Sequence, residues 1–164
     1  MTPRWNVSRP LGQRSPNYVY VASSWRNPLQ VAVCAALRVV GIEHYDFRHP
    51  EGGGSDGFHW REVMPSWDDD IKTVPTEEYL TALQHPKAAQ GFDRDMDALL
   101  RADCVIGVLP CGRSSHLEVG WAAGHDIPTA MLLEEPSEPE LMYLMCDYLA
   151  PSLIDLLGWL GVED

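Results

Sequence analysis

The feature that most constrains this chain is the run Tyr18-Val19-Tyr20-Val21-Ala22-Ser23, which leads almost directly into a helix start at Asn27-Pro28. A β-branched and aromatic run of this length reads as a buried strand. Asn27 supplies a capping side chain, and Pro28 suits the first helical position because it has no N–H to leave unpaired. The helical pattern runs to about Val40 and stops at Gly41, after which Ile42 to Phe47 reads as a second strand. Two strands separated by a helix pair in parallel, with a right-handed crossover.

The alternation continues. Thr76 with Glu78 and Tyr79 marks one helix start, and Pro86 to Arg101 reads as a further helix. Asp103 to Pro110 is a third apolar strand, Ser114 to Gly124 a helix, and Ile127 to Leu133 a fourth strand. Pro139 to Met145 and Ser152 to Leu160 read as helices with a short fifth strand between them. This order predicts an α/β fold, a flavodoxin-like or Rossmann-like doubly wound parallel sheet of four to five strands with helices on both faces. In 164 residues it makes one domain, residues 17–164. Residues 1–16 carry Arg4, Arg9 and Arg14, no acid and no apolar stretch, and read as a flexible arm, not a secretory signal. No apolar run approaches the roughly 18 residues that span a bilayer, so no membrane partner is expected. Ligands of such sheets bind beyond the carboxyl ends of the strands. That edge receives Ala22 to Trp25, the loop from Arg48 to Val74, and Cys111 to Ser114.

Charge narrows the partners. The net charge is −12, and after Arg113 there are ten acids and no Lys or Arg. A nucleic-acid polymer is therefore not the expected ligand, and a small anion must be held by local donors. Cys34, Cys104, Cys111 and Cys146 form no C-x-x-C pair, and buried reduced thiols fit a cytoplasmic setting. The six histidines show no metal-ligand spacing, so neither a metal nor a cofactor is expected.

The Arg48–Val74 segment is too long for an idle connection and reads as a functional loop. Phe58, His59, Trp60 and Trp67 could stack on a base, and Arg48 could read it or a phosphate; alternatively, the tryptophans pin the loop to the core. Asp68-Asp69-Asp70 reads as a solvated run, as do Glu134, Glu135, Glu138 and Glu140, and Asp103 bounds its strand.

Glu118 admits two readings. Ser115-x-x-Glu118 matches a capping box, and on spacing alone that is the simpler account. Yet Leu117, Val119, Trp121 and Ala122 surround Glu118 with apolar residues, and Asp95 and Asp103 precede the strand that leads to it. Two carboxylates beside a sugar are the usual apparatus for breaking a glycosidic bond.

Tyr20-Val21-Ala22-Ser23-Ser24-Trp25, Asp95 eight residues before Asp103, and Glu118-x-Gly120-x-Ala122 together resemble the nucleoside 2-deoxyribosyltransferase family, a superfamily that includes nucleotide N-glycosidases, over most of residues 17–133. The resemblance implies that Glu118 attacks C1′ of the sugar and forms a covalent glycosyl-enzyme, that Asp95 assists, and that Tyr20 orients the nucleophile. The deoxyribosyltransferases carry a base-holding acid six residues before the nucleophile, where this chain has Gly112. The related N-glycosidases place a phosphate-holding serine nearby, and Arg113, Ser114 and Ser115 stand close to that position, with Ser23 and Ser24 as further donors. The expected activity is cleavage of the N-glycosidic bond of a nucleoside 5′-monophosphate or nucleoside, by hydrolysis or base exchange. An NAD or ADP-ribose glycohydrolase and a non-catalytic nucleotide sensor are the rival readings. The resemblance also implies a homodimer or higher homo-oligomer.

Overall fold

The first apolar run forms β1 (Tyr18–Ala22), every residue of which is buried. In the computed structural model, which describes residues 8–12, 15–50, 57–68, 70, 73–134 and 137–162, α1 (Pro28–Val39) follows. The Asn27 side chain caps it by accepting the Leu29 N–H at 2.9 Å. Gly41, at φ +77°, turns the chain out of the helix in the left-handed region. Then come β2 (Glu43–Asp46), α2 (Thr76–Leu83), α3 (Pro86–Arg101), β3 (Cys104–Val108), α4 (Arg113–Gly124), β4 (Thr129–Leu132), β5 (Tyr148–Ala150) and α5 (Leu153–Trp159).

The chain divides into two compact units, residues 1–46 with 101–164, and residues 47–100. The first holds a five-stranded sheet in the order β2-β1-β3-β4-β5, parallel throughout. This is the expected doubly wound sheet, in flavodoxin-like order. One face carries Val19, Val21, Ile106, Val108 and Leu132, packed with Val33 and Leu37 of α1, Leu156 of α5 and Leu160 just after it. The other face is covered by α4. A Cβ on Gly107 would collide with the Met131 side chain of β4 and lie 3.2 Å from Val119 Cγ2 of α4, so glycine at this point leaves room for the Met131 side chain under the helix. The register pairs Tyr20 with Val105 and Ala22 with Gly107, which puts Tyr20 on the α4 face. Asp103, as expected, bounds the sheet: its carboxylate accepts the N–H groups of Asn17 at 2.8 Å and Tyr18 at 3.0 Å.

Two expectations change. The segment expected as a helix over Pro139–Met145 is a short 3-10 turn, Leu141–Met145, started by Glu140, whose side chain accepts the Met142 N–H at 2.8 Å. Leu141 and Met142 remain exposed and Cys146 is buried just before β5, so the segment lacks the apolar stripe and the length that hold an α-helix against a core. The reading of residues 1–16 as a loose arm does not describe residues 8–11. Ser8 forms an antiparallel bridge to Tyr148. The Arg9 N–H donates to the Asp147 carbonyl at 2.8 Å, and its guanidinium pairs with the Asp147 carboxylate at 2.9 Å. Trp159 Nε1 donates to the Arg9 carbonyl at 2.8 Å, and Leu11 packs against the core.

The second unit contains α2, nearly all of α3 and a 3-10 turn, Trp60–Glu62. The His59 N–H donates to Glu62 Oε1 at 3.0 Å, and Glu62 pairs with Lys87 at 3.1 Å; these two bonds hold the Glu62 carboxyl below its ordinary range. Trp60 packs edge-on against Phe58 at 5.1 Å and Tyr79 at 5.6 Å. Phe58 lies against Gly91 of α3, where a Cβ would come within 2.9 Å of it. Gly52, Gly53, Gly54, Asp69 and Glu135 lie outside the described residues.

Candidate active site

β1 and β3 are neighbours, yet the chain leaves them toward opposite sides of the sheet. Their carboxyl ends therefore form a switch point, the place where open parallel sheets take their ligands. Short polar bonds knit this point together. Ser23 Oγ donates to the Val108 carbonyl at 2.8 Å. Asn27 Nδ2 donates to Ser23 Oγ and to the Val108 carbonyl, both at 3.1 Å. Ser115 Oγ donates to the Ser23 carbonyl at 2.9 Å. Asn27 and Ser115 are each 2% exposed. The hydroxyl protons of Ser23 and Ser115, expected as substrate donors, are thus directed to backbone carbonyls, where they brace the rim of the site. Ser24 Oγ accepts the Arg26 N–H at 3.3 Å.

The start of α4 bears on the capping reading of Glu118. Gly112 is the N-cap, Arg113 is the first helical residue, and no side chain caps the helix. Ser115 is then the third helical residue and Glu118 the sixth, one turn beyond where a capping box places its glutamate. Glu118 is half-buried on this helix, while Gly112, Arg113 and Ser114 are exposed. A Cβ at Gly112 would meet nothing within 4 Å, so the position faces open space.

The turn between β3 and α4 is also electrostatically marked. The Cys111 thiol is pushed up to about 11, first by burial and then by the negative charge of Glu118, with the neighbouring Ser115 working the other way. The field of the Glu118 carboxylate therefore reaches the exit of β3. His116 Nδ1 lies 2.8 Å from the Gly112 carbonyl, and its Nε2 lies 2.9 Å from the Tyr143 hydroxyl.

Tyr20 is 1% exposed in the middle of β1, with its ring stacked on Tyr45 at 5.2 Å. Tyr20, Ser23, Ser24, Gly112, Arg113, Ser114, Ser115 and Glu118 all belong to the first unit. Arg48, His59, Trp60 and Asp95 belong to the second, with Asp95 half-buried on α3. Asn27 and Tyr143 are the participants that sequence reasoning did not assign here. Asn27 was legible as a cap; Tyr143, 27 residues from His116, carried no local signal. Among the described residues no group of three or more His, Cys, Asp or Glu could hold a metal ion, and no helix is long and apolar enough to cross a membrane.

No family model matches the sequence, and no curated protein matches it. Among solved structures, the chain is similar to a 2-deoxyribosyltransferase from the psychrotolerant bacterium Bacillus psychrosaccharolyticus, at 18% identity over 85% of this chain and 89% of that one, with a TM-score of 0.48. It is also similar to the CMP N-glycosidase BcmB of Clostridium botulinum, at 15% identity over 88% of this chain and 99% of that one, with a TM-score of 0.48. A conserved protein from Enterococcus faecalis is similar at 14% identity over 88% of this chain and 86% of that one, with a TM-score of 0.40.

Proposed function

We propose that this chain is an enzyme that cleaves the N-glycosidic bond of a nucleoside 5′-monophosphate or nucleoside, with Glu118 as the nucleophile. The observation that carries the reading is the position of Glu118: half-buried, outside the helix cap, on the helix that opens at the β1/β3 switch point. A carboxylate in such a place can attack C1′ as the bond to the base breaks through an oxocarbenium-like state. The electrons of that bond leave with the base, which takes up a proton. Water then opens the glycosyl ester and restores Glu118, or a second base accepts the sugar. Tyr20, on the sheet face that α4 covers, suits the role of orienting the carboxylate, since a phenol donates one hydrogen bond. Ser24, Arg113 and Ser114 offer polar groups to the sugar and phosphate, while Ser23, Ser115 and Gly112 shape the rim.

The test is release of free base, followed by chromatography, from a panel of nucleoside 5′-monophosphates, nucleosides and NAD. Wild type is expected to release base from at least one monophosphate or nucleoside. Glu118→Ala should then lose roughly three or more orders of magnitude in kcat with its circular dichroism unchanged. Retention of most activity by the variant, or no base released from any substrate, overturns the reading. Release from NAD alone moves the substrate class to dinucleotides.

A further inference from the structure

We infer that His116 is a positioning residue for the proposed reaction: it holds the Gly112 carbonyl and thereby fixes the direction of the Gly112–Arg113 peptide at the rim of the site, while Tyr143 holds its ring. The inference rests on the site proposed above.

Gly112 has no side chain with which to anchor itself. Its carbonyl accepts the His116 backbone N–H at a long 3.4 Å and His116 Nδ1 at 2.8 Å, so the side-chain bond is the closer of the two. A carbonyl oxygen only accepts, which assigns the proton to Nδ1. In the neutral ring Nε2 is then an acceptor, and the Tyr143 hydroxyl donates to it at 2.9 Å. The two rings lie nearly parallel, 12° apart with centroids separated by 5.8 Å. Tyr143 remains a donor at neutral pH: its hydroxyl is pushed up to about 12, chiefly by burial. Cys111 Sγ lies 3.7 Å from Nδ1 and leaves the carbonyl as the nearer acceptor.

The consequence follows from the planarity of the peptide bond. The Gly112 carbonyl and the Arg113 N–H belong to one plane and point in opposite directions, so holding the first aims the second. The Arg113 N–H is one of the donors that the first turn of a helix leaves without an internal partner. Without His116, an exposed glycine peptide can tilt, and the polar rim of the site loses a fixed donor.

The experiment is steady-state base release from a nucleoside 5′-monophosphate that wild type accepts, comparing wild type with His116→Ala, His116→Asn, His116→Gln and Tyr143→Phe. Asparagine places an amide donor where Nδ1 stands; glutamine reaches toward Tyr143 instead. His116→Ala is expected to raise KM about tenfold, the size of one net hydrogen bond, with kcat changed much less. His116→Asn should restore most of that loss, His116→Gln should not, and Tyr143→Phe should fall between wild type and His116→Ala. An unchanged KM in His116→Ala, a loss confined to kcat, or a glutamine variant better than the asparagine one overturns the inference. If wild type releases no base, the catalytic reading fails, and the same variants are ranked by calorimetric Kd for the nucleoside monophosphate. The order expected for KM then has to appear in Kd, and its absence sinks the positioning role as well.

Discussion

At Cys111 the chemistry of the site can be read without any substrate. With its thiol near 11, only roughly a thousandth of it is ionised at pH 8, and the thiolate is the reactive form. Native protein should therefore react with iodoacetamide at Cys111 on the order of a hundredfold more slowly than an unperturbed thiol. The other three thiols are buried and should label only after unfolding. Because Glu118 raises the Cys111 value, Glu118→Gln should lower it and speed the labelling. Mass-spectrometric rates for the two proteins check this, and equal rates would mean that the carboxylate does not act on the β3 exit. Residue roles were the least legible part of the chain. Ser115-x-x-Glu118 has the spacing of a capping box, but the box needs Ser115 at the N-cap, and the helix begins at Arg113. Nothing local reveals that start, because Gly112 caps with no side chain. Likewise, the hydroxyl of Ser115 meets a carbonyl 92 positions earlier in the chain, a distance over which pattern reading has no reach.

At the level of elements, the first strand–helix turn joins β1, α1 and β3 through one buried amide. Asn27 caps α1 with its oxygen and ties Ser23 and Val108 with its nitrogen. Asn27→Ala should cost about 2–3 kcal/mol, a cap plus buried hydrogen bonds, measured by chemical denaturation. Asn27→Asp keeps the cap but cannot donate, so it separates the two contributions; stability equal to wild type would show that the ties to Ser23 and Val108 add nothing. This element was legible because Asn-Pro is a start signal with a mechanism, and α3 was legible from Pro86 to Arg101 for the same kind of reason. The strands came out shorter than their apolar runs. β3 spans Cys104–Val108 inside the run Asp103–Pro110, since pairing stops where Asp103 turns to the β1 backbone and where the chain departs for α4. The helix expected over Pro139–Met145 failed because five residues led into a strand, and a short segment settles into i→i+3 bonds.

For the molecule as a whole, strand order was less accessible than strand identity. Alternating strands and helices imply a parallel sheet, but the order β2-β1-β3-β4-β5 depends on which side of β1 each crossover lands. The segment fastened by Ser8, Arg9 and Leu11 was not legible at all. Its bonds are to β5 and α5, at the far end of the chain, and polar residues beside an arginine look the same whether solvated or docked.

That docking bears on the society the protein keeps with its own copies. Among the described residues, β5 is three residues long and ends the sheet order, next to β4. An open strand edge is a template for another chain, and proteins blunt it with charge or with a covering segment. Ser8 and Arg9 do both here, occupying hydrogen-bonding positions beside β5 and setting an arginine against Asp147. Removal of residues 1–12 should therefore make the protein associate progressively with concentration, seen in sedimentation velocity as a shift to larger species than the intact chain forms. Unchanged sedimentation after truncation would show that the edge needs no guard. On this account, a few residues remote from Glu118 decide whether the chain remains a solution of discrete particles long enough to meet any substrate.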